Sequence, residues 1–367
     1  MNSFSLHFAQ KMIGFLCVFS IFFADNMNSQ NIQPVMREPT VTPAPDAGDR
    51  NNNFYDNTET HELQGSDIEI TGEIENPGIV NLSGLTRHSV IVKETVLKDD
   101  GTDAFTGAYR YDGYSLFDIL SDRIIKKKNA AEFKPIIDLY VEIENADGDK
   151  VVLSWGEIYY PNFLNNSIIA TSVAPIVPSK TKDQWPLPVK RKLVIATDLI
   201  TERNISNPTK ITVKSYSRSI PVNRDLTPLY SNGFSITEGQ HPLAEISDSP
   251  KLQAETVHTI FYGRGRGIHS TQPFTGFYLK DLFPKYFAFT KENIQRAFFV
   301  LVGKDGYRSV YSFSEIMNRN DQAEILLVPC KEEKDGGQFR IFPSCDFFSD
   351  RAVKALSEIC LEIKGSK

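Results

Sequence analysis

Two halves of this chain carry the same segments in the same order. Residues 68–71 read Ile-Glu-Ile-Thr and residues 234–237 read Phe-Ser-Ile-Thr. The stretch DGYSLFDIL at 112–120 returns as TGFYLKDLF at 275–283, and DGDKVVLSWGEI at 147–158 lies without a gap against DGYRSVYSFSEI at 305–316. Each half then reaches Asp-x4-Arg, Asp198 to Arg203 and Asp346 to Arg351. A repeat this long describes a duplicated domain, since solenoid arrays repeat at roughly 20–50 residues. A chain of 367 residues suffices for two cores. The expected partition is a first domain over 67–215, a linker over 216–230 and a second domain over 231–364. Pro221 and Pro228 disfavour a continuous element through the linker.

Residues 1–66 are built differently. Lys11 precedes an uncharged apolar run over 12–23, shorter than the roughly 20 helical residues that cross a bilayer. Its flanks suit a secretory signal peptide over 1–24. The protein is therefore expected to be exported, periplasmic or extracellular, with no membrane span once the signal is removed. Residues 25–66, rich in Asn, Asp, Pro and Thr, carry too little apolar surface to order themselves and read as a disordered tether. Of four cysteines, Cys330, Cys345 and Cys360 lie beyond the signal. That odd number leaves at least one free thiol, and no Cys/His spacing suggests a zinc site.

The formal net charge is −6, and the basic runs at 126–128 and 190–192 lack the interleaved aromatics of a nucleic-acid groove. Both read as solvated faces, and no nucleic-acid partner is expected.

Short strands dominate each half. Residues 68–74 alternate apolar and polar positions up to the Asn76-Pro77-Gly78 turn, and strand signals at 139–143 and 151–153 bracket Asp147-Gly148. Those at 297–302 and 308–311 bracket Asp305-Gly306 in the same way, while 210–214 and 359–363 close the two units. Ser115 opens a helical segment over 115–120, with Leu116, Ile119 and Leu120 at helical spacing, and Leu279, Leu282 and Phe283 repeat it.

Gly72 and Asn76-Pro77 after an opening strand, the Gly113-Tyr-Ser-Leu116 step, a hairpin with Ser-x-x-Glu over 305–315 and a closing strand form one succession. It resembles the molybdopterin-binding domain of the sulfite oxidase family, over nearly all of 67–215 and more weakly over 231–364. The resemblance implies an α+β fold: two tandem sulfite-oxidase-like domains of molybdopterin-binding type, with mixed β-sheets and short helices. It also implies a metal held by the pterin dithiolene and one cysteine just before the Gly-x-x-Leu step, where soft sulfur suits the metal. Tyr262 stands at that place in the second half, and residues 90–97 contain no cysteine in the first. Cys345 falls at the other end of the motif and reads as a small buried hydrophobe. No bound metal or cofactor is therefore expected, molybdopterin being the one the resemblance admits.

The remaining ligand- or cofactor-binding candidate is Tyr262, Gly263, Arg264, Gly265, Arg266 and His269. Glycines let backbone N–H groups approach an anion, and guanidiniums add bidentate donors; the other reading is a solvated turn. No P-loop or dinucleotide spacing surrounds these glycines. Arg203 and Arg351 are expected to fix the last loop of each half through Asp198 and Asp346. Ser154 and Ser312 lack a nucleophile elbow, and Glu142, Glu144, Glu332 and Glu333 read as solvated carboxylates. Tyr109, Tyr111, Tyr114, Tyr159, Tyr160 and Trp185 either line a sugar or peptide cleft or pack in the core. The expected function is a non-catalytic binding or assembly protein whose partner is an exported protein or a small anionic ligand. The alternative is a molybdopterin-dependent oxidoreductase of the sulfite oxidase type with an atypical metal site.

Overall fold

The computed structural model describes residues 58–178, 181–330 and 336–364. The expected signal peptide, most of the expected tether, and Glu332 and Glu333 lie outside them. The fold is α+β, mixed sheets with a few short helices.

In the first half the strands are β1 (His61–Glu62), β2 (Glu69–Gly72), β3 (Gly78–Ile79), β4 (Arg87–Leu97), β5 (Asp103–Ser115), β6 (Leu139–Asn145), β7 (Lys150–Ser154), β8 (Ser167–Pro175), β9 (Lys192–Ile195) and β10 (Pro208–Ser215). A mixed sheet runs β3-β2-β10-β6-β7, with β2 and β10 parallel and the other neighbours antiparallel. In the second, antiparallel sheet β4 pairs β5, β5 pairs β8, and β8 also takes β9 and β1.

The second half contributes β11 (Phe234–Glu238), β12 (His241–Ile246), β13 (Glu255–Val257), β14 (Phe261–Gly263), β15 (Gly267–Ser270), β16 (Phe274–Tyr278), β17 (Ala297–Gly303), β18 (Arg308–Ser312), β19 (Ile325–Pro329), β20 (Phe339–Pro343) and β21 (Leu356–Ile363). Its mixed sheet runs β12-β11-β21-β17-β18, again with one parallel pair, β11 and β21. Its antiparallel sheet runs β13-β16-β19-β20. Strand for strand, the order and sense of pairing coincide with those of the first half. Among the described residues two strand pieces have no counterpart: β1, and the two-stranded flap β14–β15 between β13 and β16.

Local sequence explains the repeated pieces. Gly113 in β5 and Gly276 in β16 belong to the DGY and TGF segments, and a Cβ on either would stand within 2.1 and 2.5 Å of the Ile169 and Leu327 carbonyl oxygens of the neighbouring strands. Only glycine permits that approach. Helix α1 (Leu116–Leu120) starts on the Ser115 hydroxyl, which accepts from Asp118 N–H. Helices α2 (Trp155–Tyr159), α3 (Leu279–Leu282), α4 (Lys291–Arg296) and α5 (Phe313–Met317) complete the set. Both α2 and α5 open on a capping box, Ser154 with Glu157 and Ser312 with Glu315. Each half has its own apolar core. A further cluster of Tyr140, Val152, Phe298, Val300 and Val310 joins the two mixed sheets, with Tyr140 stacked on Phe298 at 4.7 Å.

Several expectations need correction. The chain joins the fold before residue 66, because β1 pairs with β8 and Leu63 is buried. Lys127 is no solvated charge: its ammonium is buried against the Asp138 carboxylate at 2.5 Å and donates to the Phe133 and Pro135 carbonyls. Lys192 likewise reaches Glu94 at 2.6 Å. Glu144 is partly solvent-exposed as expected and pairs with Lys150, whereas Glu142 is mostly covered and pairs with Lys214. Residues 216–230 contain no regular element, yet they pack on the second half: Tyr216 is buried, Arg218 pairs with Glu358, and Asn223 N–H donates to the Asp305 carbonyl. Tyr109, Tyr111 and Tyr160 are buried, in keeping with the core reading of these residues.

Candidate functional site

Two clusters of charged side chains differ in whether each charge has a partner. The first is the seam between the mixed sheets. Arg203 donates Nε and Nη2 to the Asp198 carboxylate at 2.8 and 2.7 Å and reaches both Glu157 oxygens at 3.0 and 3.1 Å. Arg351 grips Asp346 at 2.8 and 2.6 Å and Glu315 at 2.8 Å. The Asp-x4-Arg bonds expected from sequence are thus present. Sequence could not indicate the exchange across the seam, where Arg203 Nη1 donates to Ser312 Oγ at 3.1 Å and Arg351 Nη1 to Ser154 Oγ at 3.2 Å. Ser154 and Ser312 donate in turn to Glu315 and Glu157.

Two guanidiniums here face four buried carboxylates, so desolvation acts on an excess of negative charge. Burial pushes Glu157 up to about 7, with Arg203 opposing and Glu315 adding to the rise. Burial likewise raises Asp198 and Asp346 against their arginines. The seam is saturated with internal bonds and binds the halves to each other. A cavity of about 400 Å³ opens beside it, and its charged side chains Glu157, Arg319 and Asp321 are paired as well.

The second place is a cleft of about 290 Å³ in the second half, under the flap. Its floor is aromatic: Phe274 and Phe342 stack at 3.8 Å, and Phe261 stands edge-on to both. Arg266, His269, Arg340, Lys354, Asp350 and Tyr307 also line the cleft. Among the described residues no carboxylate pairs with Arg266, Arg340 or Lys354. The Arg340 guanidinium lies 5.3 Å from the Phe274 ring centre, and its Nε is buried without a hydrogen-bond partner. A charge-assisted bond to an anion would satisfy such a donor and remove its desolvation cost.

The flap places the sequence candidates unequally. Gly263, Gly265, Arg266 and His269 line the cleft. The ring of His269 packs on Phe261 at 4.9 Å, and a Cβ on Gly263 would fall 2.5 Å from His269 Nε2, so glycine leaves room for the imidazole. Tyr262 and Arg264 are not among the lining residues. Tyr262 turns to Phe347 and Phe348, and the Arg264 backbone N–H donates to Asp350 at 3.4 Å. Arg340 and Lys354 escaped the sequence reading, although a signal existed: each interrupts an apolar run, Phe339-Arg340-Ile341 and Val353-Lys354-Ala355.

A thiolate-held metal does not fit these residues. No cysteine lines the cleft. Cys345 opens on the seam cavity, where burial, aided by the charge of Asp346, pushes its thiol well above its ordinary value, disfavouring the thiolate a metal needs. Cys360 lies buried within β21, its thiol also raised by burial. Among the described residues no helix is long and apolar enough to cross a membrane. No family model, no curated protein and no solved structure matches the chain.

Proposed function

We propose that this is an exported, non-catalytic binding protein that holds a small anionic ligand in the second-half cleft, on two tandem copies of a molybdopterin-binding-type unit. One observation carries the binding claim. In a chain of net charge −6, three cations without carboxylate partners among the described residues surround one aromatic floor. The coincident strand pairing of the halves supports the duplication, and the apolar run at 12–23 supports export. The aromatic lining favours an anion that carries an apolar portion, with its charge turned to Arg340.

Titration calorimetry with inorganic phosphate and with benzoate tests the reading on the purified protein. Binding is expected to weaken by about 1.5–3 kcal/mol for each charge-assisted hydrogen bond removed in Arg340→Ala and Lys354→Ala, with little change in melting temperature. Equal binding by the double variant would remove the cleft from consideration. Stoichiometric molybdenum in protein from its native host would replace the non-catalytic reading with the oxidoreductase one.

A further inference from the structure

The outer face of the flap carries chemistry that the cleft does not use. Tyr262 and Ile268 oppose each other across β14–β15, and Tyr262 reaches Phe347 at 5.7 Å. Ile260 precedes β14 by one residue and shares the alternation of Tyr262. Relative exposures are 56% for Ile260, 36% for Tyr262, 66% for Ile268 and 51% for Phe347, which gathers four of the large exposed apolar side chains beside one hairpin. Among the described residues the flap has no third strand. At its tip stands Arg264, whose side chain has no ion-pair partner among the described residues.

We propose that this face docks the protein on the surface of an anionic lipid bilayer. Four exposed apolar side chains, on and beside one hairpin, form a small apolar surface. They suit a peripheral seat on a membrane. Such a seat needs only a few aliphatic and aromatic groups in the interface, together with a cation facing acidic headgroups. Arg264 supplies that charge complementarity on a protein that is otherwise acidic.

Co-sedimentation of the full chain with vesicles of phosphatidylcholine alone, or of phosphatidylcholine with phosphatidylserine, tests the proposal. Binding to the anionic vesicles at low salt is expected, decreasing as salt is raised. Arg264→Ala should weaken it about fivefold, and Ile260→Ser with Ile268→Ser should abolish it while the melting temperature stays unchanged. Phe347→Ser offers an independent variant outside the hairpin, and it too should weaken binding. Arg340→Ala with Lys354→Ala should bind vesicles as the wild type does, so failure of the cleft and failure of the docking face are told apart. No binding by the wild type, or undiminished binding by the isoleucine variant, would overturn the proposal. So would a dimer in sedimentation velocity that the isoleucine variant dissolves, since a second copy would then cover the face.

Discussion

The two halves pair their strands in one order and use their antiparallel sheets differently. In the first half β4 and β5 form an 11- and 13-residue hairpin, paired from Arg87–Tyr114 to Leu97–Asp103, and β1 adds to β8. In the second half the corresponding strands β13 and β16 shorten to 3 and 5 residues, and the flap stands between them. Shortening the hairpin opens the space that Arg266, Arg340 and Lys354 surround. The mixed sheets, by contrast, must match each other at the seam, and there the halves keep equivalent side chains. A shared interface holds its pattern, while a free edge can be rebuilt as a site.

Removing one arginine of the seam should have the largest effect. Arg203→Met and Arg351→Met should each destabilise the protein by about 3–5 kcal/mol, because each strands two buried carboxylates. Urea midpoints would measure both; a loss confined to one variant would mean that the seam is not energetically two-sided.

Acidity provides the next test. Glu157 is raised in the fold to about 7 from 4.5, so the folded state binds its proton more tightly than the unfolded chain does. Its contribution is fully present below about pH 4.5 and is lost as pH rises through about 7. Asp198 and Asp346, also raised, act in the same sense. Stability should therefore fall by on the order of 2–3 kcal/mol between about pH 5 and about pH 8. Glu157→Gln should flatten that slope, and an unchanged slope would place the proton elsewhere.

The smallest difference is expected between two capping serines. Ser312 caps α5 and also accepts from Arg203 across the seam, whereas Ser115 caps α1 without a bond to the other half. Ser115→Ala should cost about 1 kcal/mol and Ser312→Ala about 2 kcal/mol. Equal losses in thermal unfolding would mean that the cross-seam bond adds nothing.

Much of the strand pattern was legible before any coordinates. The alternation at 68–74, the strands at 139–143, 151–153, 297–302 and 308–311, and the helical start at Ser115 all coincide with observed elements. The Asp198–Arg203 and Asp346–Arg351 bonds were legible too, because five residues are few enough for one loop to bring together. The burial of Lys127 was not, since its partner Asp138 is itself buried where Arg308 approaches from the other half, at 3.3 Å. Half of the cleft was legible for a similar reason. The Gly-Arg-Gly-Arg-Gly segment announces itself, but Arg340 arrives on β20 and Lys354 just before β21.

Strand alternation, turn glycines, capping boxes and the repetition of those patterns in two halves act over a few residues and are written in the local sequence. Whether a charge is satisfied is a matter of distance and desolvation, and both are properties of the assembled fold. Only the tertiary structure could therefore decide that Arg203 and Arg351 are saturated at the seam while Arg266, Arg340 and Lys354 stand without carboxylate partners among the described residues around three phenylalanines. Coulombic attraction and desolvation depend on neighbours that here lie tens to hundreds of residues apart, which no local pattern records.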